Sequence, residues 1–133
     1  SATGDRGAAS ATGYQGAASA TGDRGAASAT GNQGAASATG DRGAASATGY
    51  QGAASATGDQ GAASATGKDS IALAAGYGCK AKGAIGCWIV LAERGEWDGD
   101  TYPIKEVKAF EVDGEKVKAD TWYMLVNGQL KEV

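Results

Sequence analysis

The chain has no histidine, a single proline and two cysteines. Over residues 1–63 it has no Leu, Ile, Val, Phe, Met or Trp. Each absence excludes something. Without histidine, the commonest general base and the usual zinc ligand are missing. Cys79 and Cys87 are too few for a disulfide framework, and their spacing fits no metal or redox motif, so free thiols are expected. With Tyr14 and Tyr50 as its only aromatics, the segment 1–63 cannot build a core of mixed large side chains. No stretch approaches the roughly 18 apolar residues of a transmembrane helix. No basic-then-apolar leader opens the chain, so no signal peptide is expected on it. A repeat that starts at Ser1 without preamble suggests a piece of a longer protein. Charge is also sparse: 12 basic and 15 acidic residues, a net of −3, with arginines alternating with aspartates rather than clustering. Nucleic-acid binding by phosphate neutralisation is therefore not expected, and neither is a membrane partner.

What is present is a repeat. Residues 1–63 are seven copies of the nonapeptide SATG-xx-GAA. Asp-Arg or Asp-Gln in odd copies alternates with Tyr-Gln or Asn-Gln in even ones. The true period is therefore eighteen residues, two nonapeptides. A flexible linker has no reason to keep such a phase, whereas a solenoid stacks equivalent residues coil upon coil. Collagen is excluded because Gly is not every third residue. A silk-like cross-β stack is the nearest alternative, but it leaves the Gly-x-x-Gly breaks unexplained. An eighth copy, 64–72, drifts to SATGKDSIA, and a ninth and tenth, 73–81 and 82–90, are degenerate but expected in register.

Each nonapeptide reads as a five-residue strand, Ala-Ala-Ser-Ala-Thr, and a Gly-x-x-Gly turn whose paired glycines permit positive φ. Lys80 and Lys82 fall at the positions of Ala8 and Ser10, and lysine is almost never buried alone. The Ala8-Ser10-Thr12 set therefore faces out and the Ala9-Ala11 set faces in. The expected fold is all-β. It is a flattened parallel β-solenoid (β-roll) over 1–86 with 18-residue coils, capped over 87–133 by an antiparallel β-meander. The cap is read from strand-like runs at 87–92, 104–112, 115–118 and 121–126. Hairpin signals stand at Asp113-Gly114 and Asn127-Gly128. Trp88, Phe110 and Trp122 are read as its core. Methyl burial alone does not offset the ordering of nine residues per repeat, so backbone bonds, side-chain ladders, the cap and self-association must contribute.

Four rows of side chains are candidates for function. Asp5, Asp23, Asp41 and Asp59 run beside Arg6, Arg24, Arg42 and Gln60, where cross-coil Asp–Arg pairing is expected; the arginine beside three of the four aspartates argues against calcium, and no metal or other cofactor is expected. Tyr14, Asn32 and Tyr50, with Gln15, Gln33 and Gln51 beside them, form an uncharged edge suited to glycan or receptor contact. Thr12, Thr30 and Thr48, and Thr3, Thr21, Thr39 and Thr57 opposite, form hydroxyl rows that resemble the Thr arrays of ice-binding solenoids. Ile71 and Leu73 face outward and need a cover, from the C-terminal segment or from another chain.

The stretch SATGKDSIALAAGYGCKAKGAIGCWIVLAERGEWDG, with the later VKAFEVDGEKVKADTWYMLVNG, resembles an ATG-repeat family of gut bacteria and their phages that carries no assigned activity. The resemblance covers the whole chain, is specific over 64–133, and implies a separate N-terminal domain before the repeats. Residues Lys68 to Leu73 are similar to the head repeats of trimeric autotransporter adhesins, whose outward aliphatics meet at a trimer axis; Ile71 and Leu73 match that role. The resemblances imply a virion or cell surface, and self-association as dimer, trimer or filament. The leading functional expectation is a non-enzymatic stalk, spacer or filament-forming rod. A glycan- or receptor-binding adhesin or phage fibre element is the alternative, and ice binding is another.

Overall fold

A computed structural model describes residues 2–3, 7–67 and 69–133, with the side chains of Ala2 and Thr3 excepted. Asp5, Arg6, Lys68 and the hydroxyl of Thr3 lie outside what is described. The fold is all-β, without helices among the described residues. Its strands are β1 (Ala2–Thr3), β2 (Ala8–Thr12), β3 (Ala17–Thr21), β4 (Ala26–Thr30), β5 (Ala35–Thr39), β6 (Ala44–Thr48) and β7 (Ala53–Thr57). They continue as β8 (Ala62–Thr66), β9 (Ile71–Ala74), β10 (Lys80–Gly83), β11 (Trp88–Arg94), β12 (Ile104–Glu111), β13 (Tyr123–Val126) and β14 (Gln129–Glu132).

Odd and even strands separate into two sheets. One runs β1-β3-β5-β7-β9-β11-β12 and the other β14-β13-β10-β8-β6-β4-β2. From β2 to β10 the pairing is parallel with an offset of eighteen residues, as in Ala8↔Ala26 and Lys80↔Ala62. Each coil is thus two strands and two turns, stacked at the strand spacing of about 4.8 Å. The interior between the sheets is one methyl deep: Ala20, Ala29, Ala38, Ala47 and Ala56 are fully buried, while the Ala-Ser-Thr set stays outside. The two apolar faces of an alternating strand are therefore assigned as Lys80 and Lys82 require.

The turns explain the glycines, with one correction. Positive φ falls on the first glycine of each Gly-x-x-Gly, from Gly13 (110°) to Gly67 (102°), and on the second variable residue: Gln15 (60°), Arg24 (63°), Gln33 (64°) and Arg42 (61°) among them. The second glycine lies outside the left-handed region. Its hydrogen is needed for another reason: a Cβ at Gly25 or Gly43 would sit 3.2 Å from the inward Cβ of Ala20 or Ala38. The first glycine is under a harder constraint. A Cβ on Gly40 would lie 2.3 Å from the carbonyl oxygen of Gly22 in the coil below, and Gly31, Gly49, Gly58 and Gly67 are in the same position. Close stacking of backbone on backbone at the corner excludes every side chain.

Near the thick end of the solenoid the second glycine is replaced by Ser70, Cys79 and Cys87. Their polar atoms turn inward onto carbonyls one coil below. The Ser70 hydroxyl donates to Gly49 O at 2.8 Å and accepts from Gly52 N at 3.1 Å. The Cys79 and Cys87 thiols reach Gly58 O at 3.0 Å and Gly67 O at 2.7 Å. Both cysteines are free and buried, and burial raises the Cys79 pKa, which keeps its thiol a donor.

The tenth copy is not in register. Trp88 pairs with Ile71, seventeen residues back, because the turn Ala84–Cys87 is reached one residue early. β11 is still a coil strand, parallel to β9, so the parallel stack runs to Leu91 although composition shifts near Cys87. Inward Ile89 and Leu91 here replace alanine, and with Val112, Val117, Tyr123 and Leu125 they build the cap's core. The antiparallel strands are split between the sheets rather than forming one meander: β12 closes the first by pairing with β11, and the β13–β14 hairpin closes the second by pairing with β10. Asn127 (φ 53°) and Gly128 (φ 76°) make its two-residue turn. Residues 115–118 form no strand; the Asp113 carboxylate instead accepts from the amides of Glu115 and Val117. Of the expected core aromatics, Phe110 packs on the core. Trp88 is 44% exposed because it takes the outward register position beside Ile71. Trp122 is partly buried, with the ammonium groups of Lys80 and Lys82 at 4.8 and 4.7 Å from its ring.

One carboxylate joins the two closing elements. Glu93, at the end of β11, accepts from the amides of Asn127 and Gly128, both at 2.8 Å, and Lys108 on β12 donates to Gly128 O at 2.6 Å. Those amide bonds hold the Glu93 carboxyl below its ordinary pKa, and the Asp113 turn does the same for its own.

Two outcomes follow from these contacts. Gly40→Ala should lower stability by about 3 kcal/mol or more, against at most about 0.5 kcal/mol for the surface change Ser37→Ala, by chemical denaturation. Because the folded-state pKa values of Glu93 and Asp113 are depressed, their contribution is complete above the unfolded carboxylate values and disappears as pH falls through the lowered ones. The cap should therefore weaken in acid, and Glu93→Gln should flatten that dependence, as read by thermal unfolding across the acid range.

Candidate functional site

The solenoid has two turn edges and two sheet faces, and the expected site residues divide among them. On the edge between the even and odd strands, Tyr14 is 81% and Tyr50 59% exposed, with Asn32 half-buried between them. Tyr14 and Asn32 share an open depression lined with Gly13 and Gly31; Tyr50 does not line it. Tyr14 and Tyr50 are two coils apart, roughly 9.6 Å at the parallel-strand spacing.

Gln15, Gln33 and Gln51 form an amide ladder: Gln15 Nε2 donates to Gln33 Oε1 and Gln33 Nε2 to Gln51 Oε1, each at 3.1 Å. Their backbones join in, with Gln15 N donating to Asn32 O and Gln33 N to Tyr50 O. The ladder gives a reason for glutamine at a left-handed position that glycine or asparagine would take more easily. The amide bonds along the row offset the backbone strain, and they also occupy groups that a ligand would otherwise meet.

The opposite edge carries Asp23, Asp41 and Asp59 beside Arg24, Arg42 and Gln60. The expected Asp–Arg cross-pairs are not formed among the described residues. Arg42 Nε donates instead to Gln60 Oε1 at 3.1 Å. At left-handed φ the second turn residue points along its own row, so Arg meets Gln rather than the Asp of the next coil. Toward the cap this edge changes character. The pair Tyr77-Gly78 replaces Asp-Gln, and the loop after β11 brings Trp97, Thr101 and Tyr102 over it. The Tyr77 and Tyr102 rings stack at 4.1 Å and 18°, and Trp97 meets Tyr102 edge-on at 5.2 Å. None of these aromatics stood out in the sequence. The signal that could have found them is the break in pair alternation at Gln60 and Tyr77 directly before an aromatic loop.

On the outer sheet faces, the threonines form in-register rows, Thr12↔Thr30↔Thr48↔Thr66 and Thr21↔Thr39↔Thr57. At the capped end Thr66 donates to Thr48 at 3.3 Å. Ile71, 46% exposed, and the half-buried Leu73 are not covered by the C-terminal segment; that segment enlarges the apolar face. Trp88 lies beside Ile71, Val90 beside Leu73, and Ala109 beside Val90, with the exposed Val107 paired to Ala92.

Comparison with protein-family models, with curated proteins and with solved structures finds no match to this chain. Its function must be argued from these edges and faces.

The ladder makes a prediction. Gln33→Ala removes both amide bonds of the middle rung while keeping the left-handed backbone, and should cost about 1–2 kcal/mol in urea denaturation. The half-buried Asn32→Ala, with no side-chain bond to lose among the described residues, should stay within about 0.5 kcal/mol.

Proposed function

We propose that this chain is a non-enzymatic structural or display module, a short rod that associates with copies of itself through the face around Ile71 and Leu73. The observation that carries the reading is the distribution of outward side chains along one sheet. From β3 to β7 the face is Ala-Ser-Thr, and from β9 to β12 it becomes Ile71, Leu73, Trp88, Val90, Ala109 and Val107, with the exposed Glu111 beside Trp88. A contiguous apolar patch on an otherwise small and hydroxylated surface is the usual mark of an interface. The repeat interior has no room for chemistry, being filled by alanine methyls, and the turn geometry repeated from coil to coil serves stacking. In this reading the repeat sets length and the capped end sets association.

A second reading, a glycan- or receptor-binding element, is favoured by the exposure of Tyr14 over the depression it shares with Asn32. Tyr14→Ala with Tyr50→Ala would abolish binding on a glycan array if that edge is the site.

Light scattering on the intact chain over a concentration series tests the first reading. A discrete dimer or trimer is expected, and Leu73→Asp with Val107→Asp should return it to a monomer without changing its circular dichroism. A strict monomer at every concentration would remove the self-association on which the rod reading depends.

A further inference from the structure

We infer that the Asp59–Trp97–Tyr102 cleft, on the aspartate edge at the capped end, is a binding site for a neutral pyranose, the terminal sugar of a glycan. The inference is independent of the rod reading, and it lies on the opposite edge from Tyr14 and Tyr50. The cleft is open to solvent, is lined by Gly58, Asp59, Gly76, Arg94, Trp97, Thr101 and Tyr102, and has a volume of about 280 Å³. Small-molecule pockets begin at roughly 300 Å³, so one ring fits and a whole oligosaccharide does not.

The chemistry lining the cleft is that of a sugar. A pyranose has an apolar C–H face and a rim of hydroxyls that both donate and accept. Trp97 is 57% exposed and meets Tyr102 in a T-shaped contact, so much of its indole remains open to a ligand. Tyr102 is held in place by its stack on Tyr77. The two charged groups of the cleft are not consumed by each other: no ion pair joins Asp59 and Arg94 among the described residues. The Asp59 carboxylate has no hydrogen-bond partner among them and is free to accept from hydroxyls. Arg94 is anchored rather than spent, since Nε donates to Ala75 O at 2.9 Å and Nη1 to Tyr102 O at 3.0 Å. That fixes the guanidinium plane and leaves Nη2 to donate. One planar acceptor and one planar donor suit paired hydroxyls, and their opposite charges favour a neutral ligand over an acidic one.

The loop is also rigid in the way a site requires. Asp98 Oδ1 accepts from the amides of Asp100 and Thr101, both at 2.9 Å, Asp98 N donates to Thr101 O, and Gly95 N donates to Pro103 O at 2.7 Å. An exposed tryptophan on a loop pinned at both ends is pre-organised to take a partner and does not collapse onto the core. The row beneath departs from its repeat in the same place. Gln60 stands where Arg24 and Arg42 stand in earlier coils, and Gly78 follows it, so the turn row itself sends no cationic side chain up beside Asp59 and Arg94 is the one cation lining the cleft among the described residues.

The test is a titration of the intact chain, followed by tryptophan fluorescence and saturation-transfer difference NMR. The probes are the methyl glycosides of glucose, galactose, mannose, N-acetylglucosamine and N-acetylgalactosamine, with galacturonic and N-acetylneuraminic acids as acidic comparators. At least one neutral glycoside should saturate with a dissociation constant of about 1–10 mM. Trp97→Ala and Asp59→Asn should each weaken it about tenfold or more with unchanged circular dichroism, and Tyr14→Ala with Tyr50→Ala should leave it unaltered. Saturation by none of the neutral probes, equal binding by both cleft variants, preference for the acidic sugars, or loss of binding in the Tyr14 and Tyr50 variant would each overturn the assignment.

Discussion

Everything in this molecule depends on how closely its coils approach at the corners. At the first glycine of the turns from Gly31 to Gly67 the backbone of one coil sits directly over the carbonyl of the coil below, with no space for a Cβ. That contact allows the two sheets to approach until single alanine methyls fill the gap. It also forces a positive φ and makes glycine the only admissible residue there. The regularity of the repeat follows from this corner. An irregular residue at any coil would disturb the two coils it touches, and identical coils satisfy the constraint all along the stack.

A core this thin has consequences for where stability and function can reside. The alanine interior offers little apolar area, so cohesion comes from backbone bonds that run through strands and turns alike and from ladders such as Gln15–Gln33–Gln51. The left-handed φ of the ladder residues shows the balance: strain at each turn is accepted because the stack supplies the same partner at every level. At the capped end the interior widens to Ile89 and Leu91. There the second glycine of the turn gives way to Ser70, Cys79 and Cys87, and irregular structure becomes possible for the first time. The apolar face, the hairpin held by Glu93 and the aromatic cleft all cluster at this end. The rod and its tip are thus two regimes of one fold, one governed by repetition and the other by side-chain volume.

The sequence and the structure can be compared residue by residue. The eighteen-residue period, the inward alanines and the outward lysines were legible because they depend only on spacing and on the exclusion of charge from the interior. The turn backbone was less so: Gly-x-x-Gly announces a reversal, but which residue takes positive φ is decided by the coil below. The slip at Ala84–Cys87 was hidden because a degenerate repeat can be aligned in two ways, and only strand pairing chooses Trp88 opposite Ile71. The Tyr and Gln rows were visible as repeats. The Asp59–Trp97–Tyr102 cleft was not, since Asp59 stands more than thirty positions before the two aromatics and shares no motif with them.

The amino-acid sequence by itself determined the parallel stack, the size of its coils and the facing of its strands, since each follows from periodicity, chain sterics and the hydration of charge. Tertiary structure alone decided how the stack ends: the division of the antiparallel strands between two sheets, the pairing of Glu93 with the far hairpin, and the gathering of Trp97, Tyr102 and Arg94 over Asp59. The reason is physical. Inside the repeat every coil meets a copy of itself, so local rules suffice, whereas at the end each segment meets a different neighbour and long-range packing selects the partner.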